Sequence, residues 1–170
     1  AVTGVMMSGY FAGFFLGSTL VPRLLGRVGH VRIFSALAAL ASSAILMHAV
    51  LVEPAFWTVV RVLTGFSYAG MYIVAESWLN QGTDNANRGA VLSAYMIVSM
   101  AGVAAGQYLA PLADPASYEM FVVAGLFFCA ALVPIALTTA QSPQPLTEVT
   151  IDPKGLFLRS PAAAVGSFMS

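Results

Sequence analysis

Along the chain, five long apolar runs alternate with short polar breaks. The runs fall at about residues 2–20, 33–52, 56–80, 89–109 and 120–139. At about 1.5 Å per residue, a helix of about 20 residues crosses a hydrocarbon core of about 30 Å, so each run predicts a membrane-spanning helix. The breaks carry turn chemistry: a basic, glycine-rich stretch between Pro22 and Arg32, the pair Glu53-Pro54, QGTDNANR at 81–88 and PLADPASY at 111–118. Pro134 inside the fifth run predicts a kink or an early bend. Residues 141–159, with three prolines, read as a polar linker, and 160–170 as the opening turns of a further span.

The third run differs from the others because two charges, Arg61 and Glu76, are set into it. An ionisable group within a span costs roughly 2.5–3.5 kcal/mol on insertion scales, so such groups face a bundle interior or an aqueous path. Arg61, Gly65, Tyr68, Tyr72 and Glu76 follow one another at intervals of 4, 3, 4 and 4 residues. At about 100° per residue that spacing predicts one polar, aromatic stripe. Arg61 lies about 6–9 Å inside the hydrocarbon by this count, too deep for easy snorkelling. Two readings stand: it points into a cavity and binds an anionic group or a gating carboxylate, or it ties carbonyls and hydroxyls of neighbouring helices together. Glu76 is about 22 Å further along the axis, which excludes a direct pair with Arg61. It is read as a gating carboxylate facing the basic Arg27, Arg32 and Arg88, with proton carriage as the alternative.

Tyr10 and Tyr95 are the tyrosines of other runs that join Tyr68 and Tyr72 as candidates for a solute site. Trp57 and Trp78, near the two ends of their run, read as an interfacial belt. His48 reads as an interfacial histidine or a group titrating near neutral pH, and Gln107 with Tyr108 is a weaker hint of a site. Gly9, Gly13 and Gly17 on the first run, and Gly102 and Gly106 on the fourth, have the four-residue spacing that lets helix backbones approach closely.

Composition settles the solvent. Hydrophobic residues make up 59% and charged residues 8% of the chain, against about 25% charged in an ordinary soluble domain. Too few charges remain to cover a surface in water, so the lipid bilayer is the expected surrounding. The formal net charge is zero, which gives no indication of a nucleic-acid partner. A single cysteine, Cys129, lies in an apolar run, and no nucleotide, metal or hydrolase signature is present. No cofactor, metal or catalytic residue is therefore expected.

Charge sidedness then orients the spans. Arg23, Arg27, Arg32, Arg88, Lys154 and Arg159 belong to breaks on one side, while the other carries Glu53, Asp114 and Glu119. By the positive-inside rule the basic side is cytoplasmic, the Ala1 end is periplasmic or extracellular, and the 141–159 linker is cytoplasmic. The first run has no basic leader and is not read as a signal peptide. The chain is expected to begin partway into a larger protein.

Three stretches carry a family resemblance. GRVGHVR at 26–32 resembles the loop G-x-x-x-D-R-x-G-R-R between the second and third helices of the major facilitator superfamily. RVLTGFSYAG at 61–70 resembles its fourth-helix motif, an arginine followed four residues later by glycine. AESWLN with NRGAVLSAYM, at 75–80 and 87–96, resembles the next junction in a bacterial branch of largely uncharacterised permeases. The chain departs from the loop pattern at Gly26, where the aspartate is usual, at Pro22 for the leading glycine and at His30 for a basic residue. The cytoplasmic latch that the aspartate serves is then altered, or borrowed from Glu76. Of the antiporter pattern G-x-x-x-G-P-x-x-G-G only Gly102 and Gly106 are matched, with Gln107 in place of proline.

The resemblance implies an all-α, polytopic half bundle comprising helices two to six of the amino-terminal half. Its partners would be the first helix and the carboxy-terminal half of the same protein, with twelve helices in all. It implies secondary active transport of a small organic solute across the bacterial inner membrane by alternating access. Arg61, Gly65, Tyr68, Tyr72, Tyr10 and Tyr95 would contact the solute or couple its movement, with protons as the candidate coupling ion. A carboxylate or phosphate in the solute fits Arg61. The rival readings are a non-transporting receptor or scaffold, in which Arg61 and Glu76 are structural, and a membrane-embedded enzyme, which requires clustered acids or histidines at one depth.

Overall fold

A computed structural model describes residues 2–112, 114 and 117–138, and in it the five runs are helices. They are α1 (Val2–Val28), α2 (His30–Val50), α3 (Pro54–Gln81), α4 (Arg88–Leu109) and α5 (Glu119–Ala136), with a short 3-10 turn at Ala110–Leu112. All five are long and apolar enough to cross a membrane. The 141–159 linker and the further span at 160–170 lie outside the described residues.

The first two helices differ from the sequence expectation at their junction. Helix α1 does not stop near residue 20 but runs through Pro22 to Val28. Proline removes one backbone donor while holding φ near its helical value, and a span tolerates that loss where neighbouring groups compensate. The basic break therefore shrinks to one residue, Gly29, with φ 92° and ψ 159°. That left-handed backbone favours glycine. Its N–H donates to the Leu25 carbonyl and its carbonyl accepts from Ile33, at 3.2 Å each, so the reversal leaves both helix ends bonded. Helix α5 ends at Ala136 with Pro134 in its final turn.

Helix α3 organises the bundle, touching α1, α2 and α4, while α2 also packs on α5. The Glu53 carboxylate caps α3 by accepting from the Phe56 N–H at 2.9 Å, Pro54 occupies its first turn, and the Gly82 N–H closes it on the Trp78 carbonyl. Its 28 residues span about 42 Å, more than the hydrocarbon core, so both ends project toward water.

The seam between α1 and α3 is built by glycines. A Cβ on Gly9 would lie 2.8 Å from the Thr58 carbonyl oxygen, and one on Gly17 would lie 2.6 Å from that of Phe66. On Gly13 it would collide with the Val62 carbonyl, and on Gly65, from the other side, with that of Tyr10. The two helices touch backbone to backbone, where dispersion contacts are most numerous. The pairs Gly9–Thr58, Gly13–Val62 and Gly17–Phe66 ascend together, so α1 and α3 run parallel and the intervening α2 returns between them. Parallel registry brings Arg27, Arg32 and Arg88 to one end of the bundle and leaves Glu53 at the other.

Next to this seam Val21, Leu25, Ile33, Leu37, Ala38, Ala41, Met71 and Val74 form the buried core. The Ser42 hydroxyl donates to the Gly125 carbonyl at 3.1 Å and lies 3.3 Å from Cys129 Sγ, tying α2 to α5. Helix α4 is different: none of its residues is buried. A Cβ on Gly102 or Gly106 would meet nothing within 4 Å, so this stripe has no packing partner among the described residues. Phe11, Phe15, Ile97 and Val98 are largely exposed on the outside, as suits a surface solvated by lipid.

Candidate functional site

Arg61, Thr64 and Tyr68 follow at helical spacing and share one face of α3. Opposite them stand Tyr10 of α1, Ile45 and His48 of α2 and Phe121 of α5, enclosing an open cavity of about 260 Å³. Arg61 is poorly satisfied in it. Its Nη1 donates to the Met7 thioether at 3.7 Å, a weak acceptor, and its Nε is buried without any hydrogen-bond partner. A buried donor left unmade costs about 1–3 kcal/mol, more when charged. Neither a carbonyl nor a hydroxyl nor a carboxylate among the described residues takes up the guanidinium, as a structural tie would require.

His48 stands across the cavity in a fixed orientation. Its Nδ1 lies 2.8 Å from the Ala44 carbonyl, and since a carbonyl only accepts, Nδ1 carries the proton. Nε2 is thereby left as the nitrogen available to the cavity. The ring stacks on Phe121, with centroids 5.9 Å apart and planes 2° from parallel, and meets Trp57 edge-on at 5.4 Å. Trp57 is itself held by its Nε1–H on the Leu51 carbonyl at 2.9 Å. The Thr64 hydroxyl donates to the Val60 carbonyl at 2.9 Å, which leaves its oxygen lone pairs free to accept. The wall thus offers one fixed cation, one imidazole nitrogen and the hydroxyls of Tyr10, Tyr68 and Thr64, with no acid.

A second cleft of about 220 Å³ opens between α2, α3 and α4, lined by Phe34, Tyr68, Met71, Tyr72, Ala75, Tyr95 and Ser99. Tyr68 borders both spaces, its ring set edge-on to Phe128 at 5.6 Å. The expected single stripe is therefore divided. Arg61 and Tyr68 meet Tyr10 in the arginine cavity, whereas Tyr68, Tyr72 and Tyr95 meet in the tyrosine cleft. Gly65, expected to make room for a solute, instead makes room for the α1 backbone at Tyr10.

Glu76 is exposed, and its carboxylate has no ion-pair partner among the described residues, while its carbonyl accepts from the Asn80 amide at 3.0 Å. No ion pair joins Glu76 to Arg27 or Arg88 among the described residues. Arg27, Arg32 and Arg88 are all exposed. Gln107 and Tyr108 border a separate groove on α4 with Ala104.

Sequence reasoning set His48 aside and missed Thr64, Ile45 and Phe121. A signal for His48 was present: it lies five residues before Glu53 and Arg61 eight after it, so a helical hairpin brings them to similar depth. Phe121 had none, because only the tertiary packing of α5 brings it there.

Five membrane-length helices packed on one another, with an arginine whose Nε lacks a partner on the central one, make this chain part of an integral, polytopic membrane protein. The sequence profile of the Major Facilitator Superfamily matches residues 1–170, and the chain belongs to that family, whose members are transporters rather than enzymes. An uncharacterized MFS-type transporter of Enterobacter sp. (strain 638) is 30% identical over 106 residues, which cover 62% of this chain and 28% of that protein. One of Yersinia pestis (strain Pestoides F) is 27% identical over 135 residues, 78% of this chain and 35% of the relative. The uncharacterized MFS-type transporter YcaD of Escherichia fergusonii is 26% identical over 141 residues, 83% and 37% of the two chains. The chain thus spans about a third of the length of these relatives. No solved structure matches it with comparable significance.

Proposed function

We propose that this chain is part of a secondary active carrier that moves a small organic anion across the bacterial inner membrane by alternating access. The observation that carries the reading is the Arg61 guanidinium, set in a cavity with a buried, unpartnered Nε and no acid in the wall. A carboxylate or phosphate entering there supplies the missing acceptors in bidentate geometry. The His48 Nε2 and the Tyr10 and Tyr68 hydroxyls then orient the rest of the solute. Movement follows from rocking of this half against a second one, so that the cavity opens to each side in turn. The basic end faces the cytoplasm by the positive-inside rule. There Glu76 and the exposed Arg27, Arg32 and Arg88 form the gate that closes when the halves approach. Protons are the proposed coupling ion.

The test is uptake by the intact protein in proteoliposomes, with a panel of organic anions and cations, with and without a pH gradient. Saturable anion uptake is expected, reduced at least about tenfold by Arg61→Ala. Cation uptake indifferent to Arg61→Ala would sink the anion reading. Absence of any flux would favour a receptor or scaffold.

A further inference from the structure

We propose that His30, buried where α1 turns back into α2, is an acid-sensitive clasp: neutral, it holds the first turn of α2 against the last turns of α3, and protonation releases it. Gly29 is the single residue between the two helices, so His30 opens α2 directly after the reversal. Its side chain turns inward and is only 2% exposed. Nε2 lies 3.1 Å from the Ser77 hydroxyl of α3, and the Gln81 amide, one turn further on, donates to the same Ser77 oxygen at 3.0 Å. The simplest proton order sends the Ser77 O–H to Nε2, with the imidazole neutral. Trp78 borders the ring, centroids 6.2 Å apart and planes 46° from parallel.

Protonation acts against this arrangement in three ways. It places a full charge in a site closed to water, which is costly for an ion without a counter-charge. It does so at the N-terminus of α2, the positive end of the helix dipole. It also turns Nε2 from acceptor to donor, so that the Ser77 proton loses its acceptor and two N–H groups converge on one oxygen. The charged groups around this end are Arg27 closing α1, Arg32 on α2, Glu76 beside Ser77 on α3, Asp84 in the following turn and Arg88 opening α4, all of them exposed. Cations outnumber acids among them, so they give an imidazolium no net relief. The clasp is therefore present while His30 is neutral and is lost as pH falls. Arg61 and Ser77 are 16 residues apart on α3, about 24 Å along its axis, so the clasp does not depend on what the arginine cavity binds.

Hydrogen exchange of the intact protein in detergent micelles tests this at about pH 8 and about pH 5.5, either side of the usual histidine value of about 6.5. Rates are corrected for the intrinsic pH dependence of exchange. Protection of the amides of residues 33–36 and 78–82 should fall at least about tenfold on acidification, while the α1–α3 seam around Val62 and Gly65 holds. His30→Gln, uncharged throughout and able to accept from Ser77 through its amide oxygen, should keep its protection at both pH values. His30→Arg, charged throughout, should be open at both. Parent protection that does not change with pH in these segments would overturn the assignment, as would a His30→Gln variant that loses protection on acidification as the parent does. The His30→Gln comparison decides the matter even where His30→Arg does not fold.

Discussion

Helix α3 meets its two neighbours α1 and α4 on opposite terms. Toward α1 it presents Gly65 and the carbonyls of Thr58, Val62 and Phe66, and the glycines of α1 fit against them with no space for a methyl group. Toward α4 it presents Tyr68 and Tyr72, and those large side chains hold a cleft open against Tyr95. One side is a backbone contact that fixes registry and direction. The other leaves α4 without a buried residue. In lipid, where apolar contact with a neighbouring helix is scarcely better than contact with acyl chains, side-chain size at the seam decides which helices lock and which stand apart.

The strongest test of this contrast is a bulky residue on each side. Gly13→Leu places a branched side chain on the Val62 carbonyl, and overpacking against a backbone that cannot yield should cost about 3 kcal/mol or more. Thermal melting of the intact protein in detergent should show it as a large drop or a loss of monodisperse material. Gly102→Leu has open space around it and should melt within about 0.5 kcal/mol of the parent. Equal losses at both positions would mean that the α4 stripe is packed in the whole protein and would end the comparison.

That pair of glycines also marks how far the sequence could be read. Gly9, Gly13 and Gly17 have the same spacing as Gly102 and Gly106, yet one set is filled by a neighbouring backbone and the other meets nothing among the described residues. Spacing states that a helix can be approached, not which helix will do so. The five apolar runs and the breaks at Glu53-Pro54 and 81–88 were legible because length and turn chemistry are local properties. Continuation of α1 through Pro22 was not, since the helix is kept by its surroundings rather than by the proline's own preference. Arg61 announced itself as a charge in a span, and Tyr10 and Tyr68 line the same cavity with it. Tyr72 follows on the same stripe but lines the cleft toward α4 with Tyr95, because the stripe drifts around α3 as it ascends.

His48→Phe tests the arginine cavity, which the α1 seam leaves open. Phenylalanine keeps the stack on Phe121 and the edge contact to Trp57, while the ring nitrogen facing Arg61 is lost. Anion uptake should fall about fivefold, the worth of about 1 kcal/mol for one hydrogen bond that Nε2 accepts from a donor on the solute. Thermal melting should not change. A parallel fall in both would make His48 a packing residue and not a solute contact. Ser42→Ala probes an intermediate seam, where a hydroxyl rather than a glycine joins α2 to α5. Losing its bond to the Gly125 carbonyl should lower stability by about 1 kcal/mol, read as a modest shift in melting, less than for Gly13→Leu and more than for Gly102→Leu.

A small expected effect belongs to Glu53→Ala, and it tells helix from site. Glu53 caps α3 through the Phe56 N–H at 2.9 Å, and removing a cap costs about 1 kcal/mol or less at an exposed helix end. The cap serves both sides of α3 alike, so the contrast between the α1 seam and the α4 cleft should survive the substitution. Loosening should stay within the first turn, and hydrogen exchange should quicken near Phe56 and Trp57 while protection around Val62 and Gly65 holds. Arg61 is two turns further in, so anion uptake should be preserved to within about twofold. A loss of uptake as deep as that of Arg61→Ala, with melting unchanged, would place the Glu53 carboxylate on the path of the solute and move the entrance of the arginine cavity to the α2–α3 turn.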